Sequence, residues 1–382
     1  MKIIGVICEY NPFHLGHKKQ LDLIRQHFGT DCGIVCLMSG NYVQRGAPAI
    51  FDKSLRAQAA ITCGADLVLE LPITYALSSA EGFAMGGVRI LTGFCDAISF
   101  GTESGTSATL FQTAKHLLSP EFSQKLRKHL DDGLSFPAAR AAALGDDRLL
   151  RNPNDILAVE YCKAILAQNS TLEIYPILRE GNYHELKPDA ENPSATSIRS
   201  QILSEDTWHN YIPAQTRLIY NNASIHTIAA GERAMLARLR FMTNSEFEAL
   251  PFGSEGLWRK LMHACRSSTT LEEIIAQTKS KRYTRTRIDR MILCAYLGIT
   301  SSQIGADAPY SRVLAFNEKG QALLKKAREA LLLPHIGDTI NSPYQSLEQR
   351  CDDLYGLFAV HATESAGNTS KRRVYIEKNT GC

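Results

Sequence analysis

Short apolar runs alternate with helical patterns along the first 205 residues. Five runs have the length of strands, and they cover residues 2–8, 33–38, 66–71, 97–100 and 172–177. Continuous apolar strands separated by helices predict a parallel sheet that is covered on both faces. Such sheets bind ligands beyond the carboxyl ends of their strands, so we expect a site in the loops after Cys8, Met38, Leu71 and Phe100.

The helical patterns lie between these runs. Residues 16–28 place Leu21 and Ile24 on one side of a helix, and residues 53–63 and 79–91 are also predicted to be helical. The first 205 residues therefore have the order of elements that is typical of α/β proteins.

The rest of the chain is predicted to be mostly helical. Residues 106–168 form an all-helical excursion, in which Asn154 and Asp155 are expected to cap a helix. A short helix is predicted over residues 194–203, with no further alternation of strands and helices after it, and residues 206–335 are predicted to be predominantly helical.

The composition is that of a soluble globular protein. Of 382 residues, 44% are hydrophobic and 21% are charged, which excludes collagen-like and largely disordered classes. No apolar stretch approaches the ~18 residues of a membrane span, and the amino terminus reads as a strand instead of a signal peptide. The ten cysteines include no CxxC pair, so we expect reduced thiols and a cytoplasmic location.

The net charge of +3 conceals an asymmetry. Residues 1–205 carry a net charge of −3, whereas residues 206–382 carry +6. Such asymmetry is a weak indication of a polyanionic partner for the second half.

The densest chemical motif follows the first predicted strand. Residues 9–17 read EYNPFHLGH, so His14 and His17 lie on one side of a helix at its entrance. The amino terminus of a helix attracts phosphate, two imidazoles add donors, and Gly16 permits close approach. Transfer of a nucleotidyl group needs such stabilisation of charge on the α-phosphate. The alternatives are two surface histidines, or a zinc site completed by Cys8, Cys32 and Cys36, for which the spacing is poor.

Several motifs in series resemble one known family. EYNPFHLGH is followed by MSGNYVQR at residues 38–45, RGAPAIFDK at 45–53, GADLVLELP at 64–72, SAEGFA at 79–84 and FGTE at 100–103. HLGH is similar to the HxGH signature of the HIGH-type nucleotidyltransferases, and the whole series resembles the bacterial tRNA(Met) cytidine acetate ligases. The resemblance covers nearly all of residues 1–200 and weakens towards residue 285.

The resemblance implies a fold and a chemistry. It implies an α/β fold: a Rossmann-like parallel-sheet nucleotidyltransferase domain at 1–205, a mainly α-helical, tRNA-binding C-terminal domain at 206–362 and a polar tail at 363–382. Such ligases use ATP to convert acetate to acetyl-adenylate and then acetylate N4 of the wobble cytidine in elongator tRNA(Met). The expected partners are acetate and this tRNA, with Mg²⁺ on the ATP phosphates, no dedicated metal site, no membrane and no protein partner.

The resemblance also implies site residues. His14 and His17 are the expected catalytic groups. ATP is expected to contact Ile7, Cys8, Glu9, Tyr10, Asn11, Pro12, Phe13, His14, Leu15, Gly16, His17, Lys18, Lys19, Gln20, Gly101, Asn154 and Arg179. Asn152 is the alternative to Asn154, and Gly40 with Asn41 is a guess for the acetate pocket.

A second phosphate-binding segment is expected at residues 194–199, which read SATSIR. Ser197 and Arg199 are its candidate ligands, because hydroxyls and one arginine at a helix start suit phosphate. The lysine-rich KMSKS motif of the synthetases is absent, and a capped surface helix is the alternative.

Residues 279–290 form a basic segment that carries a net charge of +5. Lys281, Arg282, Arg285, Arg287 and Arg290 are the candidate contacts to the tRNA backbone, and the interleaved Tyr283 could stack on a base. On one helix, Arg282 and Arg285 would lie three residues apart, as would Arg287 and Arg290. A solvated basic face is the alternative.

Two rival functions remain at this point. A small-molecule adenylyltransferase of the same superfamily would need no basic second half. A non-catalytic RNA-binding protein with a vestigial nucleotide fold would not need the intact pair His14 and His17.

Overall fold

A seven-stranded sheet forms the centre of the protein. The computed structural model describes residues 1–145, 148–179, 194–204, 206–304, 310–331, 343–361 and 374–377. The strands are β1 (Ile3–Cys8), β2 (Gly33–Ser39), β3 (Tyr42–Val43), β4 (Ala47–Pro48), β5 (Leu67–Leu71), β6 (Ala97–Thr102), β7 (Glu173–Leu178), β8 (Arg312–Phe316) and β9 (Tyr375–Ile376). The sheet order is β7-β6-β1-β2-β5-β8-β9, and β3 with β4 forms a separate antiparallel hairpin.

The five strands predicted from the apolar runs are confirmed. β7, β6, β1, β2 and β5 are mutually parallel, so their carboxyl ends meet at one edge. Because the order reverses around β1, the loop after β1 opens onto the crevice where such sheets bind ligands.

The helices cover both faces of the sheet and continue beyond it. They are α1 (Leu15–Phe28), α2 (Lys53–Thr62), α3 (Ile73–Ala76), α4 (Ala80–Thr92), α5 (Ser107–Leu117), α6 (Pro120–Asp131), α7 (Phe136–Leu144), α8 (Pro153–Ala167), α9 (Ala195–Ser204), α10 (Arg217–Tyr220), α11 (Ile228–Phe241), α12 (Asn244–Glu248), α13 (Leu257–Ser267), α14 (Leu271–Thr278), α15 (Arg285–Leu297), α16 (Glu318–Ala330) and α17 (Pro343–Tyr355). The predicted excursion of helices corresponds to α5–α8.

Successive residues of one strand pack into different cores. Ile3 joins the cluster that contains Leu91 of α4 and Val159 of α8. Ile4 joins the cluster that contains Leu21 of α1 and Ala57 of α2. Side chains alternate between the faces of a strand, so β1 is buried on both sides and reads as a continuous apolar run. A third cluster holds α11, α13, α14, α15 and α17 together.

The expectation that the alternation of strands and helices ends with the short helix at residues 194–203 is wrong. β8 pairs antiparallel with β5, and β9 pairs parallel with β8, so both extend the sheet. A run of five residues among helices gives little signal, and its partner Leu67–Leu71 lies about 240 residues away in sequence. The part of the predicted polar tail that the structure describes, residues 374–377, thus contributes β9 to the sheet. The boundaries at 205 and 362 stay a prediction.

Among the residues that the structure describes, no helix combines the length and the apolar character that a membrane crossing requires.

Candidate active site

A cavity of about 380 Å³ opens at the carboxyl ends of β1, β6 and β7. Its walls are the start of α1, the β3–β4 hairpin and parts of α4, α8 and α9. The lining includes these residues of the predicted site: Ile7, Cys8, Glu9, Tyr10, Asn11, His14, Gly16, His17, Lys19, Gln20, Gly101, Asn154, Arg179 and Arg199. The structure thus brings together segments that lie far apart in sequence.

Some predicted residues lie outside the cavity lining as far as the described chain extends: Pro12, Phe13, Leu15, Lys18 and Ser197. Phe13 is fully buried, and Ser197 is buried with its hydroxyl 2.8 Å from that of Ser194. Lys18 forms an ion pair with Asp22 at 2.5 Å on the surface of α1. Pro12 follows Asn11 in a cis peptide bond. These residues shape the loop and its supports without facing the cavity.

His14 ends the loop after β1 and caps α1. Its Nδ1 accepts a hydrogen bond from the Gly16 amide at 3.1 Å, and Nδ1 of His17 accepts one from the His14 amide at 3.3 Å. The two rings stack with their centroids 3.7 Å apart. Because both Nδ1 atoms accept, a neutral ring carries its proton on Nε2, so each histidine keeps one N–H donor.

Both imidazoles are neutral at pH 7. Burial, reinforced by the positive charges of Arg179 and Arg199, lowers the pKa of His14 to about 3. Burial, followed by the charges of His14 and Arg179, lowers the pKa of His17 well below its usual 6.5. Neutral donors at a helix amino terminus beside two arginines make this end of the cavity suited to phosphate.

The loop between β1 and α1 is held by buried side chains. Tyr10, which has a φ of 45°, packs against Phe13 with a ring distance of 4.8 Å and against His17, also at 4.8 Å. The carbonyl oxygen of Asn11 accepts a hydrogen bond from Arg199 at 2.8 Å. The loop therefore joins the two histidines to α9.

The β3–β4 hairpin forms one wall of the cavity. The amide of Gln44 donates a hydrogen bond to the Glu9 carboxylate at 2.6 Å. Burial raises the pKa of Glu9, although this hydrogen bond and nearby arginines oppose the shift. At Gly46, where φ is 82°, a Cβ would lie 2.5 Å from the backbone nitrogen of Arg290, so the hairpin packs directly on α15.

Gly101 and Arg179 meet where β6 and β7 end. A Cβ at Gly101 would lie 3.0 Å from Cδ of Arg179, and the Arg179 amide donates to the Thr102 carbonyl at 2.8 Å. The absence of a side chain at Gly101 thus leaves room for the stem of Arg179 beside the cavity.

The start of α8 differs from the prediction. The cap residue is Asn152, without a side-chain cap, whereas Asn154 and Asp155 lie in the first turn. Nδ2 of Asn154 donates to the Glu103 carboxylate at 2.5 Å, and the amide of Asp155 donates to the same carboxylate at 2.9 Å. Glu103 therefore holds Asn154 at the cavity, a role that the sequence did not indicate.

Asp155 fixes the loop after β6 against α8. Its buried carboxylate accepts hydrogen bonds from the Thr102 hydroxyl, from the Glu103 amide at 2.8 Å and from the Ser104 hydroxyl at 2.7 Å. Burial alone would raise the pKa of Asp155, but the hydrogen bonds from Ser104, Thr102 and Glu103 together lower it. This anchor brings the two cavity segments together, and no spacing in the sequence reveals it.

The basic segment is largely occupied by contacts within the protein. Arg282, which precedes α15 instead of lying on it, pairs with Glu255 at 2.7 Å. Arg285, the first residue of α15, pairs with Glu272, and both pairs are about half exposed. Lys281 is exposed. These three side chains remain accessible to a partner.

Two other arginines of the segment are structural. Arg287 donates to the carbonyl of Phe252 at 2.7 Å, and its charge lies over the Tyr283 ring at 5.0 Å. Arg290 is only 8% exposed, and burial lowers its pKa to about 10. The prediction that Arg290 contacts the tRNA backbone does not fit this burial, because the β3–β4 hairpin covers the Arg290 side chain.

A buried charge cluster lies at the ends of β2 and β5, outside the cavity. Lys53 pairs with Glu70 at 2.8 Å and with Asp352 at 2.6 Å. Arg312 pairs with the same two carboxylates at 2.7 and 2.9 Å, and Glu348 lies 3.4 Å from it. The cluster ties α17 to the sheet.

Gly40 and Asn41, the guessed acetate pocket, belong to this cluster. Nδ2 of Asn41 donates to Asp352 at 3.1 Å, and a Cβ at Gly40 would collide with Glu70. Only about 10 Å³ of space lies beside them, so the structure offers no acetate pocket there.

The residues that the structure describes do not support the zinc site that the sequence left open as an alternative. Within them, no three His, Cys, Asp or Glu side chains come together in a group that could hold a metal ion. Cys8, Cys32 and Cys36 are buried free thiols, and Sγ of Cys36 lies 3.3 Å from the Tyr10 hydroxyl.

Comparison with known proteins agrees with this arrangement. Residues 1–370 match the family model described as HIGH Nucleotidyl Transferase. The tRNA(Met) cytidine acetate ligase of Clostridium novyi (strain NT) is 36% identical over 91% of this chain and 94% of its own. The ligase of the same name from Acetivibrio thermocellus is 36% identical over 98% of this chain and 100% of its own.

Solved structures match over the same length. Apo Thermotoga maritima TmcAL superposes with a TM-score of 0.91 and 27% identity, covering 99% of this chain and 100% of that one. The same protein bound with α-thio ATP gives a TM-score of 0.87, with equal identity and coverage. The chain belongs to the HIGH nucleotidyltransferase family and, within it, to the tRNA(Met) cytidine acetate ligases.

Proposed function

We propose that this protein uses ATP to activate acetate and transfers the acetyl group to N4 of the wobble cytidine in elongator tRNA(Met). The observation that carries the proposal is the pair of neutral, stacked histidines, His14 and His17, at the amino terminus of α1. They line a cavity at the carboxyl end of a parallel sheet, and a relative of the same fold binds α-thio ATP. These features favour nucleotidyl transfer.

In the first step, an acetate oxygen attacks the α-phosphorus of ATP. A new P–O bond forms, the bond to the β-phosphate oxygen breaks, and pyrophosphate leaves with the electron pair. Nε2–H of His14 and His17 would donate to phosphate oxygens as negative charge builds up. Arg179 and Arg199, whose charges already act on His14, would add positive charge at the same end of the cavity.

The remaining ATP contacts are proposed along the same lining. Residues 7–11, Gly16, Lys19 and Gln20 would form the nucleotide wall, and Gly101 and Asn154 would lie on its other side. Mg²⁺ would arrive bound to the phosphate oxygens of ATP, and we assign it no protein ligands.

In the second step, the N4 amine of cytidine attacks the carbonyl carbon of acetyl-adenylate. A C–N bond forms, the C–O bond to AMP breaks, AMP leaves with that electron pair, and the proton from N4 is released to water. Cytidine N4 is a poor nucleophile, so adenylation supplies the leaving group that the reaction needs.

The tRNA is proposed to contact the accessible part of the basic segment. Lys281, Arg282 and Arg285 would meet backbone phosphates, whereas Arg287 and Arg290 would support the surface from within. The hairpin that covers Arg290 also lines the cavity, so this surface adjoins the proposed site of chemistry. We expect the protein to work in the cytoplasm, where tRNA is modified.

Exchange of radiolabel between pyrophosphate and ATP tests the first step. We expect exchange that depends on acetate, followed by acetylcytidine when bulk tRNA is added. ATP–pyrophosphate exchange that depends on a different acid, or that occurs without any acid, would favour the small-molecule adenylyltransferase. Tight tRNA binding without any exchange would favour a non-catalytic RNA-binding protein.

A further inference from the structure

A buried phenol on α8 belongs to the lining of the cavity. Tyr161 is 2% exposed and lines the cavity. Its hydroxyl has no hydrogen-bond partner among the residues that the structure describes. A buried hydroxyl without a partner costs free energy, and a ligand that accepts its hydrogen bond would recover part of that cost. Tyr161 plays no part in the phosphate chemistry proposed above.

Apolar side chains line the cavity together with Tyr161, and we refer to this stretch of the lining as the recess. Leu157, one helical turn before Tyr161, also lines the cavity, and Ala80 and Phe83 of α4 line it as well. The ring of Phe100 lies 5.2 Å from that of Tyr161. One donor among apolar walls suits a small ligand that has one polar end and one apolar end.

The recess adjoins the proposed phosphate site. Tyr161 lies two turns, or about 10 Å, along α8 from Asn154. It also lies near Cys8 and Glu9, at the end of β1. Glu9 leads directly into the loop that carries His14, and His14 and Tyr161 line the same cavity.

We propose that this recess is the acetate pocket, in which Tyr161 donates a hydrogen bond to a carboxylate oxygen and Leu157 and Phe83 contact the methyl group. The assignment rests on the proposed function. Burial raises the pKa of Tyr161, so the phenol keeps its proton and acts as a donor. The charge of Glu9 lies near Arg45, Arg56 and Arg199, which reduces its repulsion of a second carboxylate.

The test compares Tyr161→Phe with the wild type in acetate-dependent ATP–pyrophosphate exchange. Loss of a hydrogen bond to a charged group should raise the KM for acetate about 10- to 100-fold and leave the KM for ATP within about twofold. Tyr310→Phe is the matched control, because Tyr310 is equally buried, its hydroxyl also lacks a partner within the described ranges, and it lies outside the cavity lining. It should retain both wild-type values.

An unchanged KM for acetate in Tyr161→Phe would overturn the pocket and leave the proposed function intact. Equal rises in both KM values would also overturn it, because they indicate a structural role. A wild type without any acetate-dependent exchange would instead overturn the proposed function, and the pocket with it.

A second variant tests the apolar wall independently of Tyr161. Leu157 is only half-buried, so Leu157→Ala should fold. The extra space should raise the ratio of propionate to acetate in kcat/KM about 10-fold or more, because one methylene in an apolar pocket changes discrimination by that order. An unchanged ratio would exclude Leu157 from the wall that meets the methyl group.

Discussion

Replacing His14 with asparagine should remove a specific pH dependence of stability. The His14 side chain caps α1 through Nδ1, and asparagine is a good cap residue that does not titrate in this range. His14→Asn therefore keeps the local structure and deletes one buried ionisable group. The variant therefore tests whether the imidazole of His14 is neutral in the folded protein.

The expected size follows from the pKa of the group. In the folded protein, burial and the charges of Arg179 and Arg199 lower the pKa of His14 to about 3, whereas the unfolded value is 6.5. At a pH between these two pKa values, His14 binds a proton in the unfolded state but not in the folded state. Stability is therefore lost as the pH falls below 6.5. From pH 7.5 to pH 5, this group alone should cost about 2 kcal/mol.

Urea unfolding followed by circular dichroism at the two pH values measures this effect. The free energy of unfolding should fall by about 2 kcal/mol more in the wild type than in His14→Asn. His263→Asn, which removes an exposed histidine, serves as the control and should keep the wild-type pH dependence. Equal pH dependence in wild type and His14→Asn would refute the neutral, buried imidazole.

Three further predictions concern the site and its surface. His17→Ala should lower the rate of acetate-dependent exchange about 10²- to 10³-fold, the usual effect of losing one preorganised donor, and full activity would remove His17 from the phosphate site. Gly101→Ala should raise the KM for ATP several-fold, because the new Cβ would press on Arg179 at 3.0 Å; an unchanged KM would contradict this contact. Arg282→Gln with Arg285→Gln should reduce the salt dependence of tRNA binding by about 0.7–0.9 in log–log slope per lost phosphate contact, measured by filter binding, and should spare acetate activation; an unchanged slope would place the tRNA elsewhere.

The part of the site that depends on local sequence was predictable. A buried strand that runs into EYNPFHLGH puts His14 at the start of a helix, because the turn and the cap are local features. The parallel order of the strands follows from the same alternation of strand and helix patterns, and it predicts which loops share the crevice.

The contacts that come from distant segments were not predictable. Two examples are the hydrogen bond from Gln44 to Glu9 and the hydrogen bonds between Asp155 and the loop after β6. Both depend on how separate elements pack. The exposure of the arginines in the basic segment was not predictable either, because the local charge density does not distinguish the accessible Arg285 from the buried Arg290. Arg290 is buried because the hairpin packs closely on α15 at Gly46.

The most direct test of the account is the fate of the acetyl group. Unmodified elongator tRNA(Met) is incubated with the protein, ATP and isotopically labelled acetate, and its nucleosides are analysed by mass spectrometry. We expect labelled N4-acetylcytidine at the wobble position, with one AMP and one pyrophosphate formed for each acetyl group transferred. A wobble cytidine that carries no labelled acetyl group after incubation with folded protein, or acetylation that does not consume ATP, would contradict the proposed function.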